Sequence, residues 1–365
     1  MSQSCETIDW RNFLDRPPLP APSPVVVSSL VERPILITGA GGSIGSALAL
    51  RLAFAGARTI LLESSESGLY DLQQDFATAG VTDNSAFYLG NVADRALIEE
   101  ILSIHEPRLV FHTAAFKHVP LIEGQPLAAI ANNIFATETL ITATLAHSAR
   151  VILLSTDKAV NPASMMGATK RVAEQLVLTA GGTVLRLGNV LASSGSVTEV
   201  FAREIAAGFP LTVTDPAARR FFLTIAEAVD LLLAAAAEPR SPALLAPQLP
   251  APHFIADLAR FMAYSLPPNR EVTIEFTRLR AGDKEFEQFW SANETPHPAN
   301  ANGLVYIDSP LVARDQLQSL LAILREAVQA RDLSAVIPAL RVLVPGYTPS
   351  DAVHTPIHRA LAGFR

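Results

Sequence analysis

Residues 34–63 admit few folds. Pro34-Ile35-Leu36-Ile37-Thr38 is a short apolar strand, and Gly39-Ala40-Gly41-Gly42-Ser43-Ile44-Gly45 comes immediately after it. A helical pattern runs from Ser46 to about Ala55, and a second strand, Thr59 to Leu62, ends at Glu63. Strand, glycine turn, helix and strand make a complete βαβ unit, a context that lends a glycine pattern the specificity it lacks alone. Gly39 permits a tight turn, Gly42 lets backbone approach a pyrophosphate, and Gly45 allows close packing of helix on strand. Phosphates then sit on the free N–H groups at the helix N-terminus, around Ser43 and Ile44, where the helix dipole favours negative charge. Glu63 stands 24 residues after Gly39, the place of an acid that accepts hydrogen bonds from an adenosine ribose. Its carboxylate repels a 2′-phosphate, and Glu63-Ser64-Ser65-Glu66 has no arginine to bind one. The unit predicts NAD in preference to NADP. A glycine turn without a nucleotide is the other reading of the same residues.

The alternation continues along the chain. Phe87-Tyr88-Leu89 reads as a third strand leading into Gly90-Asn91-Val92-Ala93-Asp94, where Asn91 and Val92 would meet the adenine or simply form a turn. Leu109–Thr113 is a fourth strand, followed by Ala114 and Ala115, small enough to let backbone pass close to the cofactor. Lys117 and His118 then face the substrate, or stand solvated in their loop. A helix from about Leu127 to His147 carries Asn132 and Asn133, polar groups suited to tying adjacent loops together. Such repeated units predict an α/β fold: a Rossmann-like, doubly wound parallel sheet, to which the resemblance given below adds a smaller C-terminal substrate domain.

The fifth strand, Val151-Ile152-Leu153-Leu154, runs into Ser155-Thr156-Asp157-Lys158-Ala159-Val160-Asn161-Pro162. Functional side chains at the carboxyl end of a parallel strand lie where open α/β sheets place their ligands. Met166 and Lys170 are spaced four residues apart, on one helix face. A sixth strand, Val184–Leu187, puts Gly188 and Asn189 at the same mouth.

Composition excludes several classes. A formal net charge of −7 with scattered Lys and Arg offers no basic field for nucleic acid. The longest apolar runs, such as Leu231 to Ala237, fall well short of the roughly 20 residues that span a bilayer. MSQSCETIDW has no basic segment followed by an apolar one, so no signal peptide is read. Cys5 is the single cysteine, which excludes an internal disulfide and fits a reducing cytoplasm. No residues have zinc-like spacing, so no metal is expected. Pro17, Pro18, Pro20, Pro22 and Pro24 suit an extended, polyproline-like arm over 1–30, lying on the surface or on a neighbouring subunit, or a disordered leader.

Taken together, these segments resemble the nucleotide-sugar 4,6-dehydratases of the extended short-chain dehydrogenase/reductase class. Within it they are most similar to the capsular-polysaccharide-type UDP-N-acetylglucosamine 4,6-dehydratases. The resemblance is carried by TGAGGSIGS at 38–46, FKHVPLIE at 116–123 and STDKAVNPASMMGATKR at 155–171. RLGNVLASSGSV at 186–197, PLTVTDP at 210–216 and RFFLTIAEA at 220–228 extend it over most of 34–290. It implies a Rossmann domain over 31–190, with 220–240 packing back on it. A sugar-nucleotide domain and C-terminal helices would occupy 191–365, in a cytoplasmic homo-oligomer, dimer or larger.

The implied reaction is redox-neutral. A hydride leaves C4 of the UDP-sugar for the nicotinamide, the 4-keto group acidifies the C5 proton, water leaves from C6 and the hydride returns there. By resemblance Asp157 donates to the leaving hydroxyl, Lys158 takes the C5 proton, Thr156 bonds the 4-hydroxyl and Lys170 bonds the nicotinamide ribose. A resting ion pair, Asp⁻ and Lys⁺, is the wrong way round for those tasks. Desolvation by bound substrate favours the neutral pair, which then titrates as a unit. Met166 stands where the wider class has its tyrosine base, and a thioether cannot accept that proton. It resembles the branch that retains configuration at C5, with Asp157 acting through Thr156 as first candidate for the C4 base. Asn189 is expected at the sugar or diphosphate, and Ser193 to Ser196, including Ser194 and Ser196, in a loop folding over the nucleotide. Arg220 and Arg280 suit the diphosphate, since guanidinium binds phosphate bidentately, or else structural ion pairs. A proline-rich Pro239–Pro252 replaces a glycine-bearing segment of the family, and Ala281, Asn91 and Ala136 also depart from its pattern. The helix-like Gln316 to Ala330 would pack in the core or at a subunit contact. Two other readings remain: a UDP-sugar 4-epimerase or dehydratase with added C5 epimerisation, and a catalytically silent NAD-binding scaffold.

Overall fold

The computed structural model describes residues 8–267, 272–300 and 302–354; Cys5 and the last eleven residues lie outside them. One nine-stranded sheet dominates. Its strands are β1 (Ile35–Thr38), β2 (Thr59–Glu63), β3 (Ser85–Leu89), β4 (Leu109–His112), β5 (Arg150–Thr156), β6 (Thr183–Leu187), β7 (Ala243–Pro247), β8 (Thr295–Pro296) and β9 (Leu304–Asp308). The spatial order is β8-β9-β7-β6-β5-β4-β1-β2-β3. Strands β1 to β7 are mutually parallel, and β9 and β8 close one edge in antiparallel sense. The order reverses between β1 and β4, the crevice in which open α/β sheets bind ligands.

Helices cover both faces, which is why the central strands are apolar throughout. They are α1 (Ser43–Phe54), α2 (Glu66–Ala79), α3 (Arg95–His105), α4 (Ala136–Ala146) and α5 (Met165–Thr179). After β6 come α6 (Val197–Ala207), α7 (Ile225–Ala237) and α8 (Ile255–Ser265), and α9 (Arg314–Gln329) and α10 (Leu333–Leu343) come after β9. Alternate residues of one strand serve opposite cores. Ile35 and Ile37 pack with Leu48, Leu52, Phe76 and Leu232 of α1, α2 and α7. Leu36, between them, packs with Ile98, Leu140 and Val177 of α3, α4 and α5. Among the described residues no helix is long and apolar enough to cross a membrane.

Several expectations need correction. Residues 8–30 form no extended arm. Arg11–Leu14 and Pro24–Leu30 are short helices, the second with Ser23 as N-cap and Pro24 at its first position, where a missing N–H costs nothing. Phe13 and Leu14 are buried with Phe222 and Leu258, whereas Val27 is buried in the core of the sheet. The helix read over Leu127–His147 is interrupted by a wide π turn at Ile130–Phe135, which carries Asn132 and Asn133. Proline-rich 239–252 contains β7, which pairs in parallel with β6 from Ala243↔Thr183 onward. Residues 243–247 and 304–308, which the resemblance puts in the second domain, therefore complete the main sheet. The second unit is correspondingly smaller: α6, α8 and short strand pairs around Leu191, Phe201, Leu211 and Leu258. Helix α9 serves the core, burying Leu317, Leu321 and Leu324 against α10 and the Met165–Leu176 face of α5.

Candidate active site

The carboxyl ends of β1, β4, β5 and β6 open into a cavity of about 1090 Å³, and a side pocket of about 310 Å³ runs beneath Glu63 and Asn91. Gly39 has φ +70° and lies so close to the next loop that a Cβ would fall 2.6 Å from Ala114 Cα. Its N–H donates to Leu62 O at 2.9 Å, tying the turn to β2. Gly42 is the N-cap of α1 and supplies no side chain, so the first N–H groups of that helix are left for a ligand. Gly45 faces Gly39 O, where a Cβ would stand 2.2 Å away. Glu63, at the end of β2, accepts from Ser64 N and Ser65 N at 2.8 Å and from Gly41 N at 3.0 Å. This last bond gives Gly41 a part that the glycine pattern alone did not reveal. Asn91 uses Oδ1 on Ala93 N in a turn, though with Val92 it lines the side pocket.

The loop after β4 is held from below. Asn133 accepts from Phe116 N at 2.8 Å and donates to Phe116 O and Thr169 Oγ1, both at 3.1 Å. The inserted π turn thus aims an amide at the loop that presents Lys117 and His118 to the cavity. Burial pushes the Lys117 ammonium below its ordinary range, with Glu199 opposing the shift. Burial, then the charge of Lys117, lowers His118. The Ser193–Ser196 strap crosses above: Ser194 N–H donates to Ser43 Oγ at 2.9 Å, and Ser43 Oγ donates to Ser194 Oγ at 3.2 Å. Ser196 shares a hydrogen bond of 2.7 Å with Thr198.

Across the cavity stands the end of β5. Thr156, Lys158, Met166 and Lys170 all line the wall. Lys158 Nζ donates to Asp157 Oδ1 and to Asn189 Oδ1, each at 2.9 Å, and Thr156 Oγ1 donates to Asp157 Oδ1 at 3.0 Å. Asp157 itself is completely buried behind these groups, and its Oδ2 has no hydrogen-bond partner among the described residues. Lys170 donates to Leu154 O at 2.7 Å, and burial brings its ammonium down to about 8 despite Glu174 nearby. The chain has only four lysines. Three line the cavity, and the fourth, Lys284, donates to Val160 O of the β5 loop.

The two arginines expected at a diphosphate have other partners. Arg220 spends its donors on Arg219 O, Glu285 O and Lys284 O at 2.7, 3.0 and 2.8 Å. Arg280 pairs with Asp283 at 2.8 Å. Both still border the cavity, as does Asp283. Sequence reading missed the support beneath β5. Ser155 donates to Glu174 Oε1 at 2.6 Å, and Glu174 is bound bidentately by the wholly buried Arg186, which also holds Glu294. Only a carboxylate four residues after Lys170 hinted at it.

Fold and cavity define a Rossmann-type α/β protein with a ligand crevice at the carboxyl ends of its parallel strands. The chain belongs to the polysaccharide biosynthesis protein family, whose model matches residues 35–308. The capsular polysaccharide biosynthesis protein CapD of Staphylococcus aureus is 34% identical over 310 residues, covering 82% of this chain and 52% of its own. The probable polysaccharide biosynthesis protein EpsC of Bacillus subtilis is 35% identical over 294 residues, covering 78% and 49%. This chain therefore spans about half the length of both. A UDP-glucose 4-epimerase of Rickettsia rickettsii is 34% identical over 300 residues, covering 78% and 85%. Among solved structures, Pen from Bacillus thuringiensis superposes with a TM-score of 0.70 at 24% identity, over 81% of this chain and 98% of its own.

Proposed function

We propose that this protein is an NAD-dependent UDP-N-acetylhexosamine 4,6-dehydratase, converting UDP-N-acetylglucosamine to the 4-keto-6-deoxy sugar for surface-glycan synthesis. The observation that carries the reading is one wall: Thr156, Lys158 and Lys170, with Asp157 paired behind Lys158, face a glycine turn across a single cavity. An epimerase needs no group for C5 or C6, and the Asp157–Lys158 pair would then have no task.

The residues present fit a dinucleotide. Gly39 and Gly42 leave a cradle that side chains would fill, the α1 N-terminus has N–H groups to offer, and Glu63 stands at the ribose position. When bound, NAD supplies the hydride acceptance and return that make the reaction redox-neutral. Lys170 holds the nicotinamide ribose. Thr156 orients the 4-hydroxyl and passes its proton to Asp157, the only carboxylate bonded to it among the described residues. Lys158, as a neutral amine, removes the C5 proton. Asp157 has no face on the cavity, so the proton for the departing 6-hydroxyl travels from it through Thr156 or Lys158. Lys117, Arg220 and Arg280 attract the diphosphate, in a cavity far more positive than a chain of net charge −7 would suggest.

The test is incubation with UDP-N-acetylglucosamine in deuterated water, monitoring sugar mass and label at C5. Loss of water with deuterium at C5 is expected, and Lys158→Ala should abolish both while the protein keeps its bound NAD. Unchanged sugar mass would sink the reading. A mass-neutral conversion would instead support a UDP-sugar 4-epimerase, which the likeness to the Rickettsia protein favours.

A further inference from the structure

Asn189, a sequence-level candidate for the sugar or diphosphate, turns its side chain to the proposed base instead. Its Oδ1 accepts from Lys158 Nζ at 2.9 Å, the same distance at which that nitrogen donates to Asp157. The asparagine is fixed independently of any ligand. Its N–H donates to Phe221 O at 2.8 Å, and it pairs with Phe222 in a two-residue parallel ladder. An amine nitrogen has four tetrahedral directions. In Lys158 one is Cε and two are N–H bonds to Asp157 and Asn189. The fourth carries the lone pair of the neutral amine or the third N–H of the ammonium. Asp157 is buried behind the wall, whereas Lys158 keeps 19% of its side-chain surface exposed, on the cavity. One direction of Nζ is thus left without a side-chain partner among the described residues, on a lysine that lines the cavity.

We propose that Asn189 is a positioning residue that, with Asp157, aims the single free direction of Lys158 Nζ at one face of C5, so that the proton leaves and returns on that face. This rests on the dehydratase reading and adds the origin of its stereochemistry. The C5–H electron pair passes toward the 4-keto group as Nζ takes the proton. While the amine is protonated its N–H exchanges with solvent, and a proton from that same direction later goes back to C5, leaving the amine as it began. A neutral amide suits this cycle because it accepts from NH₂ and NH₃⁺ alike. A carboxylate there would hold the ammonium and suppress the base. The other charged groups on this cavity are Lys170 on α5, Lys117 after β4, Arg220, and Arg280 with Asp283. Asn189 and Asp157 are the only side chains that Lys158 Nζ bonds among the described residues.

The experiment uses the full chain with its bound NAD, labelled with [ε-¹³C]lysine. Four lysines give four signals, and Lys158→Arg identifies one. The near-isosteric Asn189→Asp should titrate Lys158 at higher pH and move the rising limb of C5 solvent exchange the same way. Asn189→Ala should slow that exchange by about 10²-fold, the typical cost of a misplaced reacting group. Its product should contain both C5 configurations. An unmoved Lys158 titration in Asn189→Asp, or a single C5 configuration at the wild-type exchange rate in Asn189→Ala, would overturn the proposal. Should the wild-type protein release no water from UDP-N-acetylglucosamine, the dehydratase reading fails by itself. The Lys158 titration still reports whether Asn189 governs that nitrogen.

Discussion

Gly45 shows how tightly the nucleotide end of the site is built. A Cβ there would stand 2.2 Å from Gly39 O and 3.0 Å from Thr113 Oγ1, and Gly39 O already accepts from Gly42 N–H. Backbone on both sides cannot yield, so Gly45→Ala is expected to cost roughly 1–3 kcal/mol, the usual penalty of overpacking. Thermal unfolding and the content of bound NAD should fall together. Lys170 makes a prediction of opposite sense. Its ammonium titrates near 8 in the folded chain, below the ordinary 10.5, because burial penalises the charge. That penalty is present below pH 8 and relieved as pH rises toward 10.5. Lys170→Met should thus gain stability at neutral pH, by roughly 3 kcal/mol at most, and lose the advantage in alkali, as urea midpoints will show. The glycine turn and the Thr156-Asp157-Lys158 run were legible because parallel sheets present the residues at their strand ends to the ligand crevice. That Asp157 is sealed, and that Asn189 turns to Lys158, was not. Both depend on side-chain directions that tertiary packing sets, across 31 residues of chain in the case of Asn189.

Arg16 joins elements that the sequence keeps 211 residues apart. Its guanidinium binds Glu227 at 2.6 and 3.0 Å and Phe222 O at 3.2 Å, and both side chains are 7% exposed. Glu227 is also half of a capping box with Thr224 at the start of α7, and it accepts from Leu19 N. Burial alone would raise this carboxyl, but Arg16 and the backbone donors hold it below its ordinary range. Arg16→Ala leaves that charge buried without its partner, which typically costs about 3–5 kcal/mol. Chemical denaturation measures the loss. The exposed pair Arg11–Asp9, a few residues away, should tolerate the same change with little effect. These contacts explain why the N-terminal segment reads as an arm in sequence and folds as none. Its prolines do favour extended backbone, but Phe13, Leu14 and Val27 are placed by cores made elsewhere in the chain. Strand β7 was hidden for a similar reason. Ala243-Leu244-Leu245-Ala246 is short and flanked by prolines, and only pairing with β6 and β9 makes it a strand.

At the scale of the whole molecule, buried ionisable groups set how the fold answers to pH. His112 lies at the end of β4, bonded to Thr38 Oγ1 and Thr137 Oγ1 at 2.7 and 2.9 Å. Burial, then the charge of Lys170, lowers it to about 3. The unfolded chain binds that proton from about 6.5 downward and the folded chain does not. Its contribution is therefore complete above pH 6.5 and is lost as pH falls toward 3. Glu294 acts in the same direction but later. Burial would raise it, yet hydrogen bonds and charge from Arg186, with Arg171, hold it at about 2, so its share is lost from pH 4.5 down. Glu174 is lowered by the same arginines and adds to that second phase. Glu123 opposes both, because burial raises its carboxyl and protonation then favours the fold. Acid unfolding should consequently begin below pH 6.5, well before the carboxylates titrate. His112→Gln replaces the ring by a side chain that cannot charge. Urea midpoints for this variant should decline less steeply than the wild type between pH 6.5 and 4.5, the remaining slope coming from His105, His118 and His253, which burial also lowers, and should fall in parallel with it below. A decline of equal slope in both proteins would place the acid-sensitive group outside β4.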